Sequence, residues 1–130
     1  MSAFSKTSQQ RLEECKLQLQ LLFSTVVGTY DCSVLVGHRG KADQNKAYDS
    51  GNSKKRFPDS THNTKPSKGI DVAPYPIDWD DTKRFYYFAG YVKAKAEELG
   101  IKIRWGGDWD GDNDLNDQTL MDLVHFELAE

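Results

Sequence analysis

Apolar residues along this chain gather in short clusters separated by polar stretches, and the spacing within each cluster predicts an element. Between Ser8 and Val27 the positions Leu12, Cys15, Leu17, Leu19, Leu21, Leu22 and Val26 recur at roughly helical spacing, and Gly28 follows as a stop. One packed helix is expected there. Cys32 to Val36 is short and apolar with β-branched valines, the pattern of a strand, and it runs into Gly37-His38-Arg39-Gly40, so Arg39 stands at a strand end. Lys41 to about Ser50 is polar with Ala42, Ala47 and Tyr48 as its apolar points, which predicts a short surface helix. Gly69 to Tyr75 alternates as a strand, and Asp80 to Leu99 is a long amphipathic helix with Phe85, Phe88, Tyr91, Val92, Ala96 and Leu99 facing inward and Gly100 ending it. Ile101 to Trp105 and Val124 to Leu128 complete the strands. The sum is an α+β fold, a small antiparallel sheet packed against helices.

Composition narrows this picture. At 130 residues the chain has room for one modest core, so a single domain over 1–130 is expected, and 38 % apolar residues with 12 % aromatic ones suffice for it to fold alone. Seventeen basic against twenty acidic residues give no basic field for a polyanion, which argues against nucleic-acid binding. The polar stretch from Met1 to Arg11 lacks the apolar core of a signal peptide, and no run approaches the length that spans a bilayer. The expectation is a soluble protein made in the cytoplasm, without membrane insertion. Cys15 and Cys32 show neither a CxxC pair nor a framework spacing and read as reduced core residues.

Two polar stretches do not fit a purely structural role. Ser50 to Lys68 is too long and too polar for a passive connection in so small a domain. It carries His62, one of only three histidines; a second, His125, sits in the last strand, and both have carboxylates nearby. If the chain bends back after His62, that residue approaches Asp71 on its strand, and His125 can join from a neighbouring one. Two histidines and one aspartate leave a fourth tetrahedral position for water, the ligand set of a catalytic zinc site. On residue pattern alone the bland alternatives stand beside it, a solvated loop histidine and a satisfied strand histidine. The other stretch, Gly106 to Asp117, holds Asp108, Asp110, Asp112, Asp114 and Asp117, clustered oxygen donors that suit a hard cation such as Ca²⁺ and equally suit an exposed acidic turn. Tyr75, Trp79, Trp105 and Trp109 either line a groove or complete the core.

Ser60-Thr61-His62-Asn63, then Pro66 to Pro76 (PSKGIDVAPYP), then Asp122 to Leu128 (DLVHFEL) make three separated motifs in one order. Together with Gly37-His38-Arg39 and Gln44 they resemble the M15 family of zinc peptidases, closest to its phage L-alanyl-D-glutamate endopeptidase branch, from about Cys32 to the C-terminus. The resemblance implies that His62, Asp71 and His125 bind Zn²⁺ and that Asp122 is the general base, provided it precedes the strand on a turn, since strict extension points residues three apart to opposite faces. Glu127, on the same strand face as His125, is the rival base or a residue that orients a ligand. Arg39 resembles the arginine that holds the oxyanion, Ser60 is expected to order its loop or touch substrate, and Gln44 is expected at the substrate. Gly69 stands where the family more often has Ala, but it is equally small, and the departure puts little of the resemblance in doubt. The implied activity is a monomeric phage endolysin that accumulates in the host cytoplasm and cuts peptidoglycan stems between L-Ala and D-Glu once the membrane is opened. A D-Ala-D-Ala carboxypeptidase or dipeptidase, or a non-catalytic wall-binding domain, are the alternatives on the same scaffold.

Overall fold

The computed structural model describes residues 2–114 and 122–129. In chain order the elements are α1 (Lys6–Leu12), α2 (Leu17–Thr29), β1 (Cys32–Val36), α3 (Lys41–Asp49), a 3-10 turn (Thr61–Asn63), β2 (Gly69–Pro74), α4 (Thr82–Glu98), β3 (Ile103–Gly106) and β4 (Asp122–Leu128). The strands form one antiparallel sheet in the order β1-β2-β4-β3. Alternation gives it two faces. Val34, Ile70, Val72 and Phe126 point into the core, against Leu19, Leu22, Phe23 and Val26 of α2 and Phe88, Val92 and Ala96 of α4. Phe126 meets Phe23 and Phe88 edge-on, at ring distances of 5.4 and 6.2 Å. Each buried side chain of this size contributes about 1.5–3 kcal/mol, so this layer fixes the sheet on the helices. The opposite face carries Asp71 and His125, which are direct cross-strand partners.

Three departures from the sequence pattern matter for function. The helix expected from Ser8 to Val27 is two helices, because residues 13–16 leave the helical path to hydrogen-bond the chain ahead of β2. The Lys16 amide donates to the Ser67 carbonyl (2.9 Å) and the Ser67 amide to the Glu14 carbonyl (2.9 Å). The restart rotates Leu17 and Leu21 outward, 77 % and 53 % exposed, while Leu12 and Leu19 stay buried. In the long polar stretch, Ser60 caps the 3-10 turn: its side chain accepts from the His62 amide, and Asn63 Oδ1 accepts from the Ser60 amide in return. The third departure is in β4, which begins at Asp122 rather than Val124. Trp105 pairs with Phe126 but Gly106 pairs with Asp122, so β4 carries three extra residues across one step of β3. Gly106 permits that close approach, since a Cβ there would lie 2.1 Å from the Asp122 carbonyl oxygen.

Candidate active site

A cleft of about 660 Å³ opens over the polar face of the sheet, and Arg39, Ser60, His62, Asp71, Asp122 and His125 all line it. At its floor lie three donors. Nε2 of His62 stands 3.1 Å and Nδ1 of His125 3.0 Å from the same carboxylate oxygen, Oδ1 of Asp71. One nitrogen or oxygen from each of the three residues falls within 4.8 Å of the others, a spacing that fits a shared divalent ion. The outward nitrogens are also held. Nδ1 of His62 lies 2.8 Å from the Gly37 carbonyl, and Nε2 of His125 lies 2.8 Å from Oε1 of Glu127. Such outer partners fix the ring and its tautomer and turn the free lone pair of each imidazole to the centre.

Tight packing supports this arrangement. Thr61 Oγ1 lies 3.4 Å from both His125 Nε2 and Glu127 Oε1. Gly69 sits beneath them, where a Cβ would fall 2.3 Å from Thr61 Oγ1 and 3.1 Å from His125 Cε1. In this chain the Thr61 side chain occupies the space that a Cβ at position 69 would need.

Electrostatics follow from the geometry. Burial pushes the Asp71 carboxyl up, but the hydrogen bonds from His125 and His62 outweigh it and hold the group well below the usual carboxylate range. Burial lowers His125, yet flanking by Asp71 and Glu127 prevails and raises it to about 9 in the metal-free protein. Glu127 is pushed up by burial and drawn down further by His125 and by Arg104, whose Nη1 lies 3.1 Å from its Oε2. Asp122 shifts the other way. Its burial and the charge of Asp71 raise its pKa against the pull of the two histidines. The β4 bulge supplies what the sequence pattern required of a turn, bringing Asp122 and His125 to one cleft although they are three residues apart.

Arg39 is set by its neighbours. Its amide donates to the His62 carbonyl (2.8 Å), its carbonyl accepts from Asn63 (2.9 Å), and its Nη1 donates to Gln44 Oε1 (3.1 Å). Gln44, expected at the substrate, is instead completely buried behind Arg39 and does not line the cleft. Its amide is fully used: Oε1 also accepts from Asn63, and Nε2 donates to Ser53 Oγ and to the Lys55 carbonyl. Of the four aromatics considered above, Trp109 lines the cleft, Trp105 is buried in the core, and Tyr75 and Trp79 are exposed away from it. Sequence reasoning passed over Thr61, Lys54, Lys55 and Arg104, all of which line the cleft. The one available signal was the position of Thr61, directly before a candidate ligand.

In the acidic loop, carboxylate oxygens of Asp108, Asp110 and Asp112 lie within 4.8 Å of one another; Asp114 is not part of that group, and Asp117 lies outside the described residues. Asp108 is buried, with Oδ2 accepting from the Asn113 amide (2.9 Å) and 3.5 Å from Lys93 Nζ, and with no hydrogen-bond partner for Oδ1 among the described residues.

A sheet that presents a carboxylate and two imidazoles at the floor of an open cleft, with both imidazoles braced from behind, is the framework of a hydrolase built around a metal ion. Comparison with known proteins gives the lineage. The family model described as phage L-alanyl-D-glutamate peptidase matches residues 1–129, and the chain belongs to that family and is a peptidase. It is 32 % identical over 135 residues to the L-alanyl-D-glutamate peptidase of Escherichia phage T5, covering 97 % of each chain. Its fold matches the crystal structure of the Serratia marcescens L-Ala D-Glu endopeptidase ChiX with a TM-score of 0.77 at 25 % identity, over 98 % of this chain and 91 % of that one. No described helix is long and apolar enough to cross a membrane.

Proposed function

We propose that this protein is a zinc-dependent endopeptidase that cuts the L-Ala-D-Glu bond of peptidoglycan stem peptides and serves as a phage endolysin. The observation that carries the reading is the convergence of His62, Asp71 and His125 on one point, each imidazole braced by its second nitrogen. Two neutral nitrogens and one carboxylate suit zinc, which bound here would supply Lewis acidity and lower the pKa of a water to about 7. Asp122 is the general base: its raised pKa suits a group that takes a proton from the attacking water and returns it to the leaving amine. Arg39 faces the developing oxyanion, with Gln44 positioning its guanidinium from behind. Ser60 orders the turn that carries His62. Glu127 orients His125 rather than acting as base, because His125 and Arg104 already engage both its oxygens.

The bond named in both relatives favours the endopeptidase over a D-Ala-D-Ala carboxypeptidase, and the intact set of ligands, base and arginine favours an enzyme over a wall-binding domain. The protein works as a monomer, made in the host cytoplasm and acting on the wall in the periplasm after the membrane is permeabilised. Asp108, Asp110 and Asp112 bind Ca²⁺ as a second ion, a reading favoured by the buried Oδ1 of Asp108, which has no hydrogen-bond partner among the described residues. The test pairs metal analysis with mass spectrometry of digested muropeptides. One zinc per chain and a new amino terminus at D-Glu are expected, and Asp122→Asn should keep its metal while losing about 10²–10⁴-fold in rate. A metal-free purified enzyme, or release of D-Ala, would overturn the proposal.

A further inference from the structure

Resting on that endopeptidase reading, a charge balance across the cleft identifies which part of the substrate the far rim reads. The nitrogen of the scissile amide belongs to D-Glu, and the stem continues through the γ-carboxyl of that residue. Its α-carboxylate is therefore free and lies two bonds from the breaking C–N bond, within about 3–5 Å of the reacting carbonyl. It must enter a cleft that already holds Asp71, Asp122 and Glu127. The metal ion of that reading offsets Asp71 and Arg104 offsets Glu127, so the charge left facing the incoming carboxylate is that of Asp122.

The described lining contains four cations, Arg39, Lys54, Lys55 and Arg104. Arg104 is neutralised by Glu127 at 3.1 Å. Arg39 donates to Gln44 and is assigned to the oxyanion. Lys54 and Lys55 remain, and among the described residues neither forms an ion pair with a carboxylate. Their rim is not a loose strand of surface. Gln44 Nε2 donates to the Lys55 carbonyl at 2.6 Å and to Ser53 Oγ at 2.9 Å, and the Lys55 amide donates to that same hydroxyl at 3.1 Å. The other end of the Gln44 amide accepts from Arg39 and from Asn63, the residue after His62. One buried amide thus ties the rim on either side of Lys54, at Ser53 and at the Lys55 backbone, to both the oxyanion arginine and the turn that carries a metal ligand.

We propose that Lys54 and Lys55 form a subsite for the free α-carboxylate of D-Glu, held in register with Arg39 by Gln44 as a positioning residue, and that the enzyme thereby prefers stems with D-Glu over stems with the α-carboxamide, D-isoglutamine. The two substrates differ by one charge at one atom group and are otherwise nearly isosteric. The experiment measures kcat/KM on a matched pair of synthetic stem peptides, one with each group, for the zinc-loaded wild type and the Lys54→Met/Lys55→Met variant. A charge-assisted hydrogen bond predicts a preference of about 10- to 100-fold for the carboxylate in the wild type. In the variant the ratio should fall close to one, with the larger loss on the carboxylate peptide. An unchanged Tm and zinc content show that the variant is folded and loaded. A wild-type ratio near one, an unchanged ratio in the variant, or an equal loss on both peptides would each overturn the subsite. A wild type that cuts neither peptide would instead defeat the endopeptidase reading on which it rests.

Discussion

Removing the metal should leave a protein whose stability depends on protonation of His125. Its two ring nitrogens face carboxylates, Asp71 at 3.0 Å and Glu127 at 2.8 Å, and only the doubly protonated ring can donate to both. That is why its pKa rises from 6.5 to about 9 although burial opposes the charge. The group is raised in the folded state, so its contribution is fully present below pH 6.5 and is lost as the pH climbs through 9. At 1.36 kcal/mol per unit the contribution is of the order of 3 kcal/mol, and in a domain of this size that is about 10 °C in Tm. The lowered pKa of Asp71 describes the same contact from its other side and is not added to it. For Asp71 the sign reverses, with stability present above its ordinary 3.8 and lost at lower pH. The metal-free protein should therefore be most stable between about pH 4 and 6.5. Thermal melts followed by circular dichroism in excess chelator, from pH 6.0 to 9.5, test this for wild type and for His125→Gln. The wild-type Tm should fall with rising pH relative to the variant. A flat difference between the two would refute the reasoning. With zinc in excess the trend should invert, because protons and metal compete for Nδ1 of His125.

Glu127→Gln keeps the shape of the brace behind His125 but loses its charge, and metal affinity should drop about 10–100-fold in a chelator competition; unchanged affinity would show that the carboxylate is not what orients the ring. Ca²⁺ added to zinc-loaded protein should raise the Tm by an amount worth about 2.7 kcal/mol at a hundredfold excess over Kd. Asp110→Asn/Asp112→Asn should abolish that rise, and a Tm indifferent to Ca²⁺ in the wild type would exclude the second ion.

What the sequence disclosed and what it hid divide along a physical line. Elements whose side chains follow one period were legible: α4 shows its buried face as Phe85, Phe88, Val92 and Ala96, and β2 shows Ile70 and Val72. Backbone-to-backbone choices were not. Nothing in Glu13 to Lys16 marks a break, since neither Gly nor Pro occurs there, and the helix stops only because Ser67 offers better-placed partners fifty residues downstream. Gln44 was noticed for its position near Arg39, but its burial depends on the rim at 53–55 folding back over it, a contact no local pattern encodes.

The β4 bulge shows how such a choice can bear on chemistry. Asp71 and His125 face each other because Ile70 and Phe126 are locked into the core on the opposite side, so hydrophobic burial alone determines that pair. The same alternation, continued backwards along β4, would send residue 122 to the buried face, where an unpaired carboxylate is costly. Three extra residues across one step of β3 reverse its direction, and Gly106 provides the room opposite. In the cleft, burial and then the charge of Asp71 raise the pKa of the carboxyl. A side chain at position 106 would push β3 and β4 apart at that step. It should therefore impair Asp122 while sparing the three donors, whose register is set by β2 and the turn at 61–63.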